Sequence, residues 1–139
     1  EKLTIEITET AQIENSRQAR QTLAPLRRAG IRLSIDDYGT GQSNLEYLTE
    51  IEADEIKIDK RFVMTMRDSQ RNLEVVKSTI DLAHRLGAVA VAEGIEDAPT
   101  LDLLEQLGCD VGQGYLLGKP QLFSDLVNSL TTSPQSRSA

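Results

Sequence analysis

The stretch RLSIDDYGTGQS, residues 32–43, decides the fold, because it joins an alternating strand to a polar loop that contains glycine. Leu33 and Ile35 lie on one face of an extended strand, and Ser34 and Asp36 lie on the opposite face. A parallel strand that is covered by helices on both sides is apolar on both faces. This strand has one apolar face, so its polar face is available for a site.

Two further features of this stretch are unfavourable by themselves and require compensation. Asp36 and Asp37 are adjacent carboxylates that repel each other. Gly39 and Gly41 increase the backbone entropy that is lost on folding. Three explanations are open at this point: a bound cation, a bound phosphate group, or a solvated turn.

Segments with strand character alternate with segments of helical periodicity along the whole chain. The predicted strands cover residues 3–7, 31–35, 55–58, 88–92 and, weakly, 110–112. The predicted helices cover residues 17–29 (kinked or interrupted at Pro25), 43–51, 71–86, 98–107 and 123–130. This order implies parallel strands with right-handed crossovers, in either a doubly wound sheet or a TIM-type barrel.

The polar faces of the strands favour the α/β barrel of the TIM type over the doubly wound sheet. In LTIEIT, residues 3–8, and in IKID, residues 56–59, isoleucine or leucine again alternates with polar or charged residues. In a barrel the apolar face lies under the helices and the polar strand ends line the mouth. A complete barrel has eight strand–helix units in roughly 250 residues, and this chain supplies about five, so we expect an incomplete barrel.

Composition limits the class of protein. The chain has 139 residues, a net charge of −7 and a pI near 4.7, which argues against binding to a nucleic acid polymer or an anionic membrane. No apolar run approaches the roughly 20 residues of a membrane span. A single cysteine, Cys109, excludes an internal disulfide and predicts a reducing, cytoplasmic location, although the parent protein could be anchored in a membrane. Because the first residues already read as a strand, we expect the chain to be part of a longer protein.

Charged residues recur where the predicted strands end, and a barrel would bring them to one rim. These residues are Glu6, Asp36, Asp37, Lys57 and Glu93. Several converging carboxylates require cations, and oxygen ligands of this type suit Mg²⁺ or Mn²⁺, which in pairs cleave phosphate esters. The alternatives are that single carboxylates cap helices, and that Lys57 is a surface side chain or pairs structurally with Asp59.

Five segments in order and spacing resemble the EAL-domain family of cyclic di-GMP phosphodiesterases. They are LTIEITET, DDYGTGQSNLEYL, ADEIKIDKRFV, AVAEGIED and LGCDVGQGYLLGKP. The resemblance covers the chain up to about Phe123, so we expect residues 1–130 to be the C-terminal portion of such a domain and residues 131–139 to be a flexible tail. The resemblance implies a modified TIM barrel that uses two divalent metal ions, Mg²⁺ or Mn²⁺, to hydrolyse cyclic di-GMP to linear pGpG.

The resemblance also implies roles for individual residues. Glu6, Asp36, Asp37 and Glu93 match metal ligands, and Lys57 matches a lysine that positions the catalytic water, so that Lys57, Glu93 and Asp36 form the expected catalytic set. Gln113 matches a substrate-binding glutamine. In the loop after the double aspartate, Gly39, Thr40 and Gly41 match substrate-binding residues. Glu9 matches a glutamate that steadies this loop.

The expected partners are cyclic di-GMP, a second EAL domain in a homodimer, and an upstream sensor or GGDEF domain in the parent protein. The family's Glu-Ala-Leu strand and a strand with a metal-binding asparagine are absent from this sequence, and both belong upstream of Glu1. We therefore expect this fragment to be inactive by itself. Two other functions remain open: a degenerate EAL domain that binds cyclic di-GMP or a protein without turnover, and an interaction module that binds no metal.

Overall fold

A computed structural model describes residues 3–8, 16–39, 48 and 51–132. It contains five strands: β1 (Thr4–Thr8), β2 (Arg32–Tyr38), β3 (Glu55–Ile58), β4 (Val89–Ala92) and β5 (Val111–Gly112). It also contains the helices α1 (Ser16–Arg28), α2 (Lys60–Val63), α3 (Gln70–Arg85), α4 (Ala98–Gln106) and α5 (Phe123–Thr132). In the predicted helix at residues 43–51, only Leu48 and Ile51 are described, and both are helical and buried.

The strands form one parallel sheet in which each strand pairs with its neighbour in sequence, in the order β1-β2-β3-β4-β5. A doubly wound sheet reverses its order at a switch point, whereas a barrel adds each new strand on the same side. The sequential order is therefore that of a TIM-type barrel, which confirms the predicted fold class, and the described residues form an arc of it.

The outward faces of the central strands form the core beneath the helices. Leu33 and Ile35 on β2 and Ile56 and Ile58 on β3 are almost completely buried. They pack with buried residues of α3, namely Val76, Ile80 and Ala83. The predicted division into an apolar face under the helices and a polar inner face is therefore correct for these strands.

One prediction about α1 was wrong in part. The helix was expected to be kinked or interrupted at Pro25; the interruption was wrong, because the helix continues through this residue to Arg28, and the kink stays a prediction. Proline lacks only its own N–H donor, and its carbonyl oxygen still accepts a hydrogen bond from the amide of Ala29 at 3.1 Å.

The short helix α2 was not predicted. It begins directly after β3, where the Asp59 side chain accepts a hydrogen bond from the amide of Arg61 at 2.7 Å. An aspartate in this position is a normal N-cap, so the signal was present in the sequence. Its consequence is that Asp59 turns toward the start of α2 at the same rim as the strand ends.

Apolar side chains remain exposed near the last strand and helix. Tyr115, Leu116 and Leu117 follow the edge strand β5, and Leu122 and Phe123 precede and begin α5. At the opposite edge of the sheet, Leu3 is exposed beside β1. Within the described residues, none of the helices combines the length and apolar character that crossing a bilayer requires.

Candidate metal and active site

Lys57 lies at the centre of the predicted site. Its ammonium nitrogen, Nζ, is 2.6 Å from Glu93 Oε1, 2.8 Å from Glu6 Oε1 and 3.1 Å from Asp36 Oδ1. These three carboxylates come from β1, β2 and the residue after β4, so one lysine joins three strands. The side chain of Lys57 is 8% exposed, which rules out a solvated surface lysine.

The pKa of Lys57 reflects this environment. Burial by itself would lower the pKa, because it disfavours the charged ammonium group. Hydrogen bonds to Glu6, Glu93 and Asp36 outweigh burial and raise the pKa above its ordinary value. Lys57 is therefore a permanent cation at neutral pH, with the role of a charge and hydrogen-bond donor rather than a base.

A β-bulge explains how adjacent aspartates can serve one site. Ile35 pairs with Ile56, and Tyr38 pairs with Ile58. Between these two pairs β2 advances by three residues and β3 by two, so β2 contains one extra residue. The extra residue falls at Asp36 and Asp37, and Asp37 has a left-handed backbone with φ 57°. Neighbouring side chains in a regular strand point to opposite faces, and a bulge with a left-handed residue breaks this alternation.

The bulge brings three carboxylates into one group. Ligand oxygens of Asp36, Asp37 and Glu93 all lie within 4.8 Å of one another. The amide of Asp37 also donates a hydrogen bond to Asp36 Oδ1 at 3.1 Å, which fixes the orientation of that carboxylate. Left-handed backbone at a residue other than glycine is strained and concentrates at functional sites.

The electrostatics of the group call for a positive charge. Burial and the negative charges of Asp36 and Asp59 raise the pKa of Asp37 above its ordinary value. A cation bound by Asp36, Asp37 and Glu93 would relieve this repulsion. Three carboxylates with small separations are a hard oxygen donor set, so the residues present fit Mg²⁺ or Mn²⁺.

Glu6 is placed differently from the other predicted ligands. Its carboxylate contacts Lys57, and it does not belong to the group formed by Asp36, Asp37 and Glu93. Its side chain is 55% exposed on the edge strand β1. Metal binding by Glu6 therefore stays a prediction.

Asp59 and Arg61 belong to the site, although the sequence analysis did not place them there. The alternative that Asp59 pairs with Lys57 was wrong, because the ion pair of Asp59 is with Arg61. The carboxyl groups of Asp59 and Asp37 are within hydrogen-bonding reach of each other. Burial would raise the pKa of Asp59, but the hydrogen bonds from Arg61 lower it.

The residues predicted to bind substrate are only partly described. Gly39 follows the bulge with φ 97°, and a Cβ atom there would lie 3.0 Å from the ring of Phe62 of α2. Gln113 is exposed after β5, and its backbone donates to Ala92 O at 2.8 Å and accepts from Ile95 N at 3.1 Å. Glu9, Thr40 and Gly41 lie outside the described residues. The substrate-binding roles of Gly39, Thr40, Gly41 and Gln113 and the loop-stabilising role of Glu9 stay predictions.

Comparison with known proteins connects this geometry to a family. A family model described as the EAL domain matches residues 1–120. The cyclic di-GMP phosphodiesterase NbdA of Pseudomonas aeruginosa is 41% identical over 118 residues, which are 85% of this chain and 15% of that protein. The chain therefore spans a small part of the length of this curated relative.

Solved structures give the same result for the fold. A PaMucR phosphodiesterase in complex with cyclic di-GMP superposes with a TM-score of 0.84 at 35% identity, over 89% of this chain and 50% of that chain. The EAL domain of Mycobacterium smegmatis DcpA superposes with a TM-score of 0.85 at 37% identity, over 92% of this chain and 57% of that chain. The match in sequence and in structure shows that this chain belongs to the EAL-domain family.

Proposed function

We propose that this chain forms the C-terminal part of a metal-dependent phosphodiesterase domain that hydrolyses cyclic di-GMP to linear pGpG. The observation that carries the proposal is the group of Asp36, Asp37 and Glu93, whose ligand oxygens lie within 4.8 Å of one another beside the cationic Lys57. Curated relatives named as cyclic di-GMP phosphodiesterases support the substrate.

The carboxylates and the lysine of the site would have different roles. Asp36, Asp37 and Glu93 would hold the divalent ions, Mg²⁺ or Mn²⁺, with Glu6 as a further ligand. When bound, such ions activate a water molecule and neutralise charge on the phosphate. Lys57 donates hydrogen bonds in fixed directions from a buried position, which suits it to orient the attacking water or to stabilise developing negative charge.

The remaining roles are assigned by position. Gln113 and the loop with Gly39, Thr40 and Gly41 would contact the dinucleotide at the rim, and Glu9 would steady this loop. We also propose that the domain is cytoplasmic, that it pairs with a second copy, and that a sensor or GGDEF domain upstream controls it. Residues 1–130 form the domain in this proposal, and residues 131–139 form a tail.

The test is hydrolysis by the complete domain that contains this chain. With Mn²⁺ and cyclic di-GMP, we expect pGpG to appear on chromatography and to disappear when Mn²⁺ is removed by a chelator. Asp36→Ala should abolish the product, because it removes one carboxylate from both Lys57 and the candidate metal position. Asp102→Ala, an exposed aspartate on α4, is the matched control and should retain activity.

One result would contradict the proposal, and another would contradict the reading of Asp36→Ala as a change at the site. Binding of cyclic di-GMP without any pGpG would identify the chain as part of a degenerate EAL domain. Loss of product in Asp102→Ala as well as in Asp36→Ala would show that the loss reports general destabilisation rather than the site.

A further inference from the structure

Arg61 is an exposed side chain that binds a buried carboxylate at the rim of the site. Its Nε lies 3.1 Å from Asp59 Oδ1 and 3.3 Å from Oδ2, and its Nη2 lies 3.1 Å from Oδ2. The side chain of Arg61 is 67% exposed, whereas that of Asp59 is 7% exposed. Both carboxylate oxygens of Asp59 are therefore engaged by one arginine that can move into solvent.

Asp59 is also a direct neighbour of the candidate metal ligands. Asp59 follows Ile58, which pairs with Tyr38, the residue after Asp37, so the two carboxylates leave neighbouring positions of β3 and β2. A hydrogen bond with Asp59 is also among the causes that raise the pKa of Asp37, which belongs to the group with Asp36 and Glu93. Asp59 is thus the next carboxylate available to a cation held by this group. The guanidinium group of Arg61 contacts Asp59, and its charge also acts on Asp37, so it lies near the candidate cation position.

We propose that Arg61 is a positioning residue that withholds Asp59 from the candidate cation site and thereby weakens the binding of divalent cations. The inference rests on the proposed function, because the cations are those of the phosphodiesterase site. A cation that recruits Asp59 must displace Arg61, and a cation that does not recruit it experiences the positive charge of the guanidinium group. Both routes lower the affinity for the cation.

Arg61 would lower the affinity of the site for the cation without preventing the cation from binding. An ion pair with an exposed arginine contributes little net free energy, so its release is inexpensive. Arg61 would therefore set the cation concentration at which the site fills, without preventing its filling.

The experiment measures the Mn²⁺ dissociation constant by calorimetry in the complete domain that contains this chain. Arg61→Gln removes the positive charge and the two-point contact but keeps the backbone amide that caps α2. We expect the dissociation constant to fall by about threefold to tenfold at low salt and by less at high salt. Arg61→Lys keeps the charge, so its dissociation constant should stay closer to that of the unsubstituted domain.

A matched control separates the local effect from a change in net charge. Arg85 is an exposed arginine at the C-terminal end of α3, where it pairs with Asp81 at 2.9 Å. Because the C-terminal end of α3 leads into the start of β4, Arg85 lies at the opposite end of the strands from the site. Arg85→Gln changes the net charge equally and should leave the dissociation constant unchanged.

Each outcome decides for or against the inference. An equal or weaker affinity in Arg61→Gln, or an equal gain in Arg85→Gln, would overturn it. If the unsubstituted domain binds no Mn²⁺, the inference stands when Arg61→Gln binds it and falls when neither does. Tighter binding in Arg61→Gln together with no pGpG in any variant would support the inference and contradict the proposed function, so the two can fail separately.

Discussion

At the scale of single residues, Lys57 is the side chain that joins three strands through their carboxylates. Lys57→Met removes the ammonium group but keeps most of the length of the side chain, and it leaves Glu6, Asp36 and Glu93 without a counter-charge. Removing one partner from a largely buried ion pair leaves an uncompensated charge. Because the three carboxylates are 20% to 55% exposed, we expect a loss below that of a fully buried pair, about 2–3 kcal/mol of unfolding free energy for the metal-free domain, measured by urea denaturation.

Two comparisons check this prediction. Lys77→Met removes a lysine from an exposed pair with Glu74 and should cost below about 1 kcal/mol. Mn²⁺ should stabilise Lys57→Met more than the unsubstituted domain, because the cation then replaces the missing counter-charge of Lys57. An equal loss in the two lysine variants would show that the contacts of Lys57 contribute no more than a surface pair.

Asp110 should make the stability of the fold depend on pH, and the direction of its pKa shift predicts the sign of this dependence. A hydrogen bond from the amide of Ala90 at 2.8 Å and the neighbouring His84 lower the pKa of Asp110 below its ordinary value, which burial opposes. A carboxyl group whose pKa is lower in the folded state stabilises the fold above its unfolded pKa of about 3.9. This contribution is lost as the pH falls through the folded pKa.

Asp110→Asn should therefore be less stable than the unsubstituted domain at pH 7, and the difference should shrink as the pH falls below about 4. Thermal unfolding between pH 3 and 7 would measure it. Asp102→Asn, at an exposed position on α4, is the control for the loss of a carboxylate as such. A stability difference between Asp110→Asn and the unsubstituted domain that stays constant down to pH 3 would contradict the prediction.

At the scale of single residues, sequence reasoning identified the participants better than their geometry. Alternation and spacing were enough to name Asp36, Lys57 and Glu93 as residues at one rim. They could not reveal the partner of Asp59, because the capping aspartate and its arginine are two residues apart on a helix too short to show periodicity. They gave Glu6 the same role as Asp36, and the structure shows the contact of Glu6 with Lys57, whereas its role as a metal ligand stays a prediction.

At the scale of elements, the turn after β4 holds Glu93 in place through a glycine. Gly94 has φ +73°, and a Cβ atom there would lie 2.5 Å from Lys60 Cβ at the start of α2. Gly87 has the same φ, but no atom lies within 4 Å of the position of its Cβ. Comparing substitutions at Gly94 and Gly87 therefore distinguishes the cost of backbone strain, which both share, from the cost of the steric contact, which only Gly94 has.

Gly87→Ala should cost about 1–2 kcal/mol, which is the strain of a left-handed residue that carries a Cβ atom. Gly94→Ala carries the same strain and must also move α2 or the turn, so it should cost clearly more and weaken Mn²⁺ binding through Glu93. Urea denaturation and calorimetry measure the two effects. Equal losses of stability and unchanged Mn²⁺ binding in both variants would show that the contact between the turn and α2 is readily relieved.

The elements themselves were largely predictable, and their exceptions have physical causes. The strands and long helices agree with the prediction to within a few residues, because an apolar period of two or of 3.6 extends over enough residues to be recognised. β2 continues to Tyr38 instead of ending at residue 35, because a bulge disrupts the alternation on which the prediction depended. α1 passes through Pro25 because packing of the helix compensates for one lost hydrogen bond.

At the scale of the whole molecule, the described arc of the barrel has two edge strands, β1 and β5, and exposed apolar side chains near both. Exposed strand edges and apolar patches promote association. We expect the 139-residue chain by itself to self-associate at micromolar concentration, as measured by light scattering after size-exclusion chromatography. Phe123 is 80% exposed at the start of α5, so Phe123→Glu should reduce the association.

Met64 provides the control for this prediction, because it is exposed at the C-terminal end of α2 and does not belong to α5. Met64→Glu adds the same charge and should leave association unchanged. A monodisperse monomer at all concentrations would contradict the prediction, and an equal effect of both variants would assign the association to net charge.

The bulge at Asp36 and Asp37 inserts one extra residue into β2. This residue adds a carboxylate to the site, but the pairing of the strands does not require it. The residue after it, Tyr38, pairs with Ile58 and is buried with the outward-facing core, so the phase of β2 is restored beyond the bulge. A natural relative that lacks one residue here could keep every strand paired and every core contact, but it would have one carboxylate fewer facing the site. Deletions at this position are therefore informative in comparisons among related sequences, because a gap of a single residue would mark a barrel that still folds and has lost one of the three carboxylates that converge on its site.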